Sequence, residues 1–218
     1  MIQFLTQDHP DISHAMMAER ACLGGIRWVQ FRKKTGSEEE ILAEALEVQA
    51  ICRRYGAKFI VNDYLELAST INADGVHLGL EDGCAGAARM LLGTYKIIGG
   101  TCHSWEDIEQ RHREGVDYIG LGPFRFTHTK QNLAEILGLE GYVALIAKRN
   151  QLPSSMPIIA IGGIQVEDCA ALKQAGLAGV AVSSAINLAE NPSAVAAQFL
   201  AAWNLGEIQN PTQILSRV

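Results

Sequence analysis

Short runs of apolar residues alternate with longer amphipathic segments along the whole chain. The apolar runs cover residues 2–5, 26–31, 58–61, 74–78, 95–100, 117–122, 157–161 and 179–183. Each run is four to six residues long, which is typical of a strand buried on both faces. The pattern therefore predicts eight β-strands separated by helices.

The clearest predicted helix covers residues 37–55. Its apolar positions recur at helical spacing and comprise Ile41, Ala45, Val48 and Cys52. Ser37 stands where an N-cap belongs, and Glu40 lies three residues later, which is the spacing of a capping box. This segment is therefore predicted to pack one face against a sheet.

Strands that alternate with helices predict a parallel sheet, and eight such units close most readily into an α/β fold of the (β/α)₈ TIM-barrel type. A doubly wound open sheet is the main alternative. That fold usually carries a glycine-rich turn after its first strand, whereas TQDHP follows here. No linker divides the chain, so we expect a single catalytic barrel domain over 1–203 and a polar C-terminal tail over 204–218.

Composition narrows the class of protein. The 218 residues are 48% hydrophobic and 19% charged, which suits a globular protein with a sizeable core. The net charge of −6 argues against a nucleic-acid surface, which needs a basic stripe. No membrane span or signal peptide is recognised, and the five cysteines form no CxxC pair, so we expect free thiols and a cytoplasmic location.

Polar residues follow most of the predicted strands, at the end where barrels carry their active sites. Gln30, Arg32 and Lys34 alternate along the second strand and should share one side, which suits an anionic ligand. Arg32-Lys33-Lys34 alone would more simply be a solvated basic end, but Gln30 inside the apolar strand favours a ligand site, because an inward amide needs a partner. Asp63 and Asp82 follow the third and fourth strands and could hold Mg²⁺ or could cap the helices that follow.

The later strands end in small and hydroxyl-bearing residues. Thr101 follows the fifth strand, Gly163 ends a Gly-Gly pair after the seventh, and Ser183 and Ser184 follow the eighth. Glycines let a phosphate approach backbone N–H groups closely, and barrels often hold a phosphate after strands seven and eight. The segment after the sixth strand is rich in hydroxyls and ends in Lys130. Together these residues predict a phosphate site.

These stretches resemble the thiamine phosphate synthase family along almost the full barrel. The matching motifs are VQFRKK, FIVND, GVHLGLED, IGGTCHS, GLGPFRFTHTK, AIGGI and VSSAI. The resemblance implies a (β/α)₈ enzyme that joins hydroxymethylpyrimidine diphosphate to thiazole phosphate and releases diphosphate. It also implies bound Mg²⁺, small phosphorylated substrates as partners, and no membrane or nucleic acid. A homo-oligomer is left open.

The resemblance also assigns roles to individual residues. The positions that match the pyrimidine diphosphate contacts are Gln30, Arg32, Lys34, Asn62, Thr101 and Lys130. The positions that match the thiazole phosphate segments are Thr127, His128, Thr129, Gly163, Ser183 and Ser184. Asp63 and Asp82 match the Mg²⁺ ligands, and Arg32, Lys34 and Lys130 are expected to stabilise the departing diphosphate.

The chain departs from the family at several rim positions. Lys33 replaces a glutamate and should point outward, while Thr101 replaces a serine and keeps the hydroxyl. Leu80 replaces a glutamine, and Arg125-Phe126 replaces an aromatic-proline pair. These last changes alter the rim of the predicted site.

Two alternative functions are considered. A thiazole tautomerase is a relative on the same fold, but its catalytic histidine follows the sixth-strand glycine, where this chain has Pro123. A non-catalytic barrel that binds thiamine-pathway metabolites would carry the same binding residues, so only turnover separates it from the synthase.

Overall fold

The computed structural model describes residues 1–127, 134–153 and 156–205. Within these residues eight strands form one closed barrel in sequence order, and each strand is parallel to its neighbours. The strands are β1 (Ile2–Leu5), β2 (Trp28–Phe31), β3 (Lys58–Asn62), β4 (Gly75–Leu78), β5 (Ile97–Cys102), β6 (Tyr118–Leu121), β7 (Ile158–Ile161) and β8 (Gly179–Val182). The predicted TIM barrel is confirmed.

Helices surround the barrel in the described ranges. They are α1 (His14–Leu23), α2 (Glu38–Tyr55), α3 (Leu65–Thr70), α4 (Ala85–Leu92), α5 (Trp105–Glu114), α6 (Gly138–Arg149), α7 (Cys169–Gln174), α8 (Ser184–Asn187) and α9 (Pro192–Leu205). A single 3₁₀ turn, Val166–Asp168, precedes α7 in this part of the chain. No helix among the described residues is both long and apolar enough to cross a membrane.

The predicted helix over 37–55 is confirmed together with its cap. The Ser37 side chain accepts from the Glu40 N–H, and the Glu40 carboxylate accepts from the Ser37 N–H. Its predicted apolar face is buried, and the following Gly56 adopts the left-handed conformation that closes the helix. Local sequence therefore fixes both ends of α2.

One strand lies two residues later than its apolar run predicts. The run covers 95–100, whereas β5 spans Ile97–Cys102. Tyr95 is almost fully exposed, and the Lys96 ammonium donates to the carbonyl of Ala73 at 2.7 Å, so both precede the sheet. Thr101 and Cys102 continue the pairing with β6, which carries the Thr101 side chain to the mouth of the barrel.

Apolar side chains pack on both sides of the sheet. The larger cluster lies between the strands and the helices and includes Phe4, Phe31 and Phe59. A smaller cluster fills the barrel interior around Tyr118 and Ile159. Each fully buried side chain of this size stabilises the fold by about 1.5–3 kcal/mol. The interior cluster extends to Leu5 and Ile161 at the carboxyl ends of β1 and β7, where it lies beside the polar residues of the cavity.

Four of the five cysteines are buried, and all five are free thiols, as expected. Cys102 lies in the outer apolar cluster, away from the cavity described below. Burial raises the pKa of its thiol well above the ordinary value, which keeps it protonated. A nucleophilic role for Cys102 has no structural support.

Candidate active site

A cavity of about 560 Å³ opens at the carboxyl ends of the strands. Residues from the ends of all eight strands line it, which is the usual position of a barrel active site. Its volume lies within the range of small-molecule sites. The predicted site residues that line it are Gln30, Arg32, Lys34, Asn62, Asp63, Asp82, Thr101, Thr127, Gly163, Ser183 and Ser184. His128, Thr129 and Lys130 lie outside the described residues.

The end of β2 presents its alternate residues to this cavity. Gln30 is buried at the floor, and Arg32 and Lys34 follow above it on the same side, as their spacing predicts. The backbone that carries them is tied to the loop after β1. The Arg32 N–H donates to the Thr6 hydroxyl at 3.0 Å, and the Lys34 N–H donates to an Asp8 carboxylate oxygen at 3.0 Å.

Lys33 points away from the cavity, as expected from the alternation. Its ammonium pairs with the Glu44 carboxylate of α2 at 2.9 Å, and its side chain is 13% exposed. The Tyr64 hydroxyl donates to its backbone carbonyl at 3.1 Å. Lys33 therefore anchors the segment between Arg32 and Lys34 on the outer side of the sheet.

Asp63 and Asp82 meet at the cavity rim above Gly79. An added Cβ at Gly79 would lie 2.6 Å from an Asp82 carboxylate oxygen and 4.0 Å from one of Asp63. The Lys34 ammonium contacts the Asp63 carboxylate. Both carboxylates and the lysine thus share one wall.

Neither aspartate caps a helix, so the capping alternative is wrong. The N-cap of α3 is Tyr64, and the N-cap of α4 is Cys84. Asp63 instead adopts a left-handed backbone conformation with φ of 66°, and the Asp82 carboxylate accepts from the Gly79 N–H at 2.8 Å. These backbones turn the two carboxylates toward the cavity rather than toward a helix terminus.

Burial and neighbouring charges shift the pKa values of two side chains in this wall, Asp63 and Arg32. Burial raises the pKa of Asp63, the neighbouring Asp82 raises it further, and Lys34 opposes both effects. Burial lowers the pKa of Arg32, with the Asp63 and Asp8 carboxylates opposing, yet a guanidinium stays protonated in proteins. Two close carboxylates favour an additional cation between them. We call Arg32, Lys34, Asp63 and Asp82 the charged wall.

A network of buried polar side chains forms the floor. The Gln3 amide donates to the Tyr118 hydroxyl at 3.0 Å, and His77 Nδ1 lies 3.0 Å from the same hydroxyl. His77 Nε2 lies 3.1 Å from the Thr101 hydroxyl, which connects the network to the cavity. The network fixes the His77 ring beneath the cavity.

Sequence reasoning assigned no role to Tyr118 or His77. Gly99 makes room for both, since an added Cβ there would lie 2.3 Å from the Tyr118 ring and 2.5 Å from His77 Nδ1. The available signal was the alternation Gly75, His77, Gly79 along β4, which places His77 on the inner face.

The opposite side of the cavity is formed by small and hydroxyl residues. Gly162 and Gly163 have φ of 99° and 67°, so the turn after β7 requires glycine at both positions. The Ser183 hydroxyl lies 2.8 Å from Gln7 Oε1 and 3.0 Å from the Leu5 carbonyl. Among the described lining residues from β6 to β8, none is charged. We call Thr127, Gly163, Ser183 and Ser184 the neutral wall.

Two further residues at the rim, Leu80 and His103, line the cavity and differ in their contacts. Leu80 lines the cavity and is 42% exposed, so it presents an apolar surface beside Asp82. His103 also lines the cavity, while its backbone N–H donates to the Asp107 carboxylate at 2.7 Å and its ring contacts the Gly122 carbonyl. The His103 ring therefore packs against the segment after β6 and also reaches the site.

Among the described residues, no group of three or more His, Cys, Asp or Glu side chains is arranged to hold a metal ion. The charged wall offers two carboxylates only. A protein cage for a structural metal is therefore not formed by this part of the chain. Mg²⁺, by contrast, is commonly held by one or two carboxylates together with substrate phosphate oxygens.

Comparison with known proteins agrees with this geometry. The family model described as thiamine monophosphate synthase matches residues 2–186. Thiamine-phosphate synthase of Bacteroides fragilis is 44% identical over 191 residues, which cover 88% of this chain and 94% of that protein. The Phocaeicola vulgatus thiamine-phosphate synthase is 42% identical over 193 residues, covering 88% of this chain and 93% of that protein.

A solved structure shares both the fold and detectable sequence similarity. Thiamine phosphate pyrophosphorylase from Pyrococcus furiosus superposes with a TM-score of 0.81 at 26% identity, covering 94% of this chain and 96% of that one. The family match spans most of the chain and includes both walls of the cavity, up to Ser184. The chain therefore belongs to the thiamine monophosphate synthase family and is a transferase.

Proposed function

We propose that this protein condenses 4-amino-2-methyl-5-hydroxymethylpyrimidine diphosphate with thiazole phosphate and releases diphosphate. The observation that carries the proposal is that one cavity holds a charged wall and a neutral wall facing it. A diphosphate leaving group gains negative charge as its bond breaks, so it needs cations near it. A phosphate that only anchors its substrate keeps its charge and can be bound by N–H and O–H donors. The names of the relatives support the same reaction.

In the proposed reaction the bond between the pyrimidine methylene carbon and the diphosphate oxygen breaks, and both electrons leave with the diphosphate. The thiazole ring nitrogen donates its lone pair to the methylene carbon and forms the new bond. That nitrogen carries no proton to remove, so no general base is required.

The residues of the charged wall would act on the departing diphosphate. Arg32 and Lys34 face the cavity. The Arg32 backbone is fixed by its hydrogen bond to the Thr6 hydroxyl, and its side chain is partly buried. Little reorganisation of this side chain is therefore needed as negative charge builds on the diphosphate. Lys130 is assigned the same role by the family resemblance and lies outside the described residues. Removal of one preorganised donor of this type costs about 10²–10³ in rate.

Asp63 and Asp82 fit a Mg²⁺ ion that is completed by substrate oxygens. The Asp82 carboxylate is close enough to raise the pKa of Asp63, and both carboxylates are the kind of oxygen ligand that Mg²⁺ prefers. Bound Mg²⁺ would supply charge neutralisation for the diphosphate. Lys34, which contacts Asp63, would then be free to bind a diphosphate oxygen.

The floor and the neutral wall would orient the two substrates. Gln30, Asn62 and Thr101 line the inner part of the cavity, where an amide or hydroxyl can pair with a pyrimidine ring. Gly163, Ser183 and Ser184 line the end where barrels commonly hold a phosphate. Holding both substrates in line supplies much of the remaining rate enhancement.

Phosphorus NMR of the two substrates with the purified protein tests the proposal. We expect diphosphate and thiamine phosphate to appear with Mg²⁺ and to be absent with a chelator. Folded protein that yields no product would overturn the synthase proposal. Isomerisation of a thiazole tautomer without the pyrimidine substrate would favour the tautomerase instead, and binding without either reaction would favour a non-catalytic binder.

A further inference from the structure

Arg125 forms a two-point ion pair next to the neutral wall. Its Nη1 lies 2.6 Å from Asp168 Oδ2, and its Nη2 lies 2.8 Å from Asp168 Oδ1. The Asp168 side chain is only 11% exposed, whereas the arginine is 42% exposed. Parallel bonds between a guanidinium and a carboxylate fix direction as well as distance. The pair therefore holds Arg125 in one orientation.

The same arginine binds the turn after β7 through its side chain and its backbone. Its Nη1 donates to the Gly163 carbonyl at 2.8 Å, and its N–H donates to the Gly162 carbonyl at 3.1 Å. Asp168 also accepts from the Gln165 N–H at 2.7 Å, which closes the far side of the turn. One residue after β6 thus holds both carbonyls of the Gly-Gly turn.

The arginine stem packs directly on Gly163. An added Cβ at Gly163 would lie 2.4 Å from Arg125 Cγ, so the two residues leave no space between them. The guanidinium lies 4.7 Å from the centre of the Phe124 ring, which supports it from another side. Gly163 keeps its left-handed conformation within this packing.

We propose that Arg125, through Asp168, is a positioning residue that sets the affinity of the neutral wall for the phosphate of the thiazole substrate. Arg125 and Asp168 do not line the cavity, whereas Gly163 and Thr127 do. Arg125 thus acts through the backbone of the turn and not by touching the ligand. This inference rests on the proposed function, and it gives a role to a position where the chain departs from the family pattern.

The test separates the two substrates in steady-state kinetics. Arg125→Met keeps the aliphatic part of the side chain that packs on Gly163 and removes the guanidinium. Asp168→Asn removes the negative charge that orients the guanidinium. In both variants we expect the KM for thiazole phosphate to rise about tenfold, while kcat and the KM for the pyrimidine diphosphate change less than about twofold. Arg125→Lys should also have the higher KM for thiazole phosphate, since an ammonium cannot form the two parallel bonds to the Asp168 carboxylate.

Two controls distinguish positioning from a general loss of stability. The pair Arg54–Glu19 lies on outer helices, so Arg54→Met removes an exposed ion pair without altering either KM. The double variant Arg125→Met/Asp168→Asn should have the KM of the single variants, because both act through one contact. Equal rises in both KM values, or unchanged KM values in folded variants, would overturn the inference.

Calorimetric titration with thiazole phosphate alone separates this inference from the proposed reaction. If the wild-type protein binds this ligand but shows no turnover, the synthase proposal fails while the inference is still tested by binding. A dissociation constant about tenfold higher in Arg125→Met supports the positioning role. Equal binding by both proteins, or no binding by the wild type, overturns it.

Discussion

The two walls of the cavity present their ligands with opposite chemistry. The charged wall combines two cations and two carboxylates from the ends of β2, β3 and β4. The described part of the neutral wall offers hydroxyls and glycine backbone from the other half of the barrel. Of the two phosphate groups in the proposed reaction, the diphosphate at the charged wall gains negative charge, whereas the phosphate at the neutral wall keeps its charge. The comparison teaches that charged side chains lie where negative charge builds up during the proposed reaction. The phosphate that takes no part in bond breaking is bound by the fixed dipoles of hydroxyl and N–H groups.

The two walls also differ in how they are held. Behind the charged wall, Lys33 and Asp8 fix the β2 end through side chains on the outer face of the sheet. Behind the neutral wall, a turn with two left-handed glycines is held by Arg125. Loss of a side chain should therefore weaken the charged wall, whereas the neutral wall should be weakened by addition of a side chain at the turn as well as by loss of Arg125.

Removal of a carboxylate from the charged wall should have the largest effect. Asp63→Ala or Asp82→Ala is expected to lower kcat/KM by about 10²–10³ or more with little change in fold, because each variant removes one of the two carboxylates proposed to hold Mg²⁺. Turnover at several Mg²⁺ concentrations measures this loss. Glu66→Gln, on the exposed face of α3, is the matched acidic control. Mg²⁺-dependent turnover retained in either alanine variant would exclude the metal assignment.

Addition of a methyl group to the neutral wall should have the next largest effect, on the KM for thiazole phosphate. Gly163→Ala would place Cβ 2.4 Å from Arg125 Cγ and 2.9 Å from the Phe126 carbonyl oxygen. We expect the KM for thiazole phosphate to rise between roughly tenfold and a hundredfold as the turn shifts. Steady-state kinetics with each substrate varied in turn measures the change.

Gly56→Ala provides the matched control for backbone strain. Gly56 has φ of 63°, close to that of Gly163, but an added Cβ there meets nothing within 4 Å. We expect it to lose about 1 kcal/mol of stability with no kinetic change. If Gly163→Ala also affected stability alone, the neutral wall would not depend on this turn.

A smaller effect on the site is expected from Arg111, which holds the charged wall from behind. This arginine is 1% exposed, and it donates to Glu114 at 2.7 Å and to the Gly79 carbonyl at 2.6 Å. Arg111→Met should lose about 3–5 kcal/mol of stability, because the Glu114 carboxylate loses its ion-pair partner and keeps only the Gln110 amide and the Ala85 N–H as donors. The Asp82 loop should also loosen, so Mn²⁺ affinity, measured by electron paramagnetic resonance, should fall about tenfold.

The double variant Arg111→Met/Glu114→Gln separates these two consequences. Replacement of both partners removes the unpaired carboxylate, so much of the stability should return in urea unfolding. The Gly79 carbonyl still lacks the Arg111 donor and keeps only the Asp82 N–H at 3.3 Å, so the weaker Mn²⁺ binding should remain. A double variant with wild-type Mn²⁺ affinity would contradict the role assigned to Arg111.

The smallest effect concerns pH and a buried histidine behind the charged wall. His14 lies 2.7 Å from the Thr6 hydroxyl and 3.2 Å from Asp8, the two side chains that hold the β2 end. Burial lowers the pKa of His14 below its ordinary 6.5, although Glu44 and Asp8 oppose this. The unfolded chain therefore binds a proton more readily than the folded protein does.

The sign of the pH dependence follows from that difference. The contribution of His14 to stability is fully present above a pH of about 6.5 and is lost as the pH falls below it. Urea unfolding at a series of pH values should show this loss in the wild type and a flatter dependence in His14→Gln. An identical pH dependence in the two proteins would remove His14 as the cause.

The barrel and the charged wall could be predicted because their signals are local. Buried parallel strands read as continuous apolar runs, and the period of two placed Gln30, Arg32 and Lys34 on one side. The floor could not be predicted in the same way, because Tyr118 meets Gln3 and His77 across the barrel, 115 and 41 residues away in sequence. Arg125 likewise meets Asp168 over a separation of 43 residues. Such pairs depend on the closed fold.

The left-handed backbone of Asp63 has a consequence for any attempt to improve this protein by selection. A non-glycine residue with φ of 66° carries conformational strain of about 1–3 kcal/mol, which glycine would not carry. Selection for heat tolerance alone, with no screen for turnover, should therefore replace Asp63 with glycine and enrich inactive proteins. Directed evolution of this chain needs both criteria from the first round.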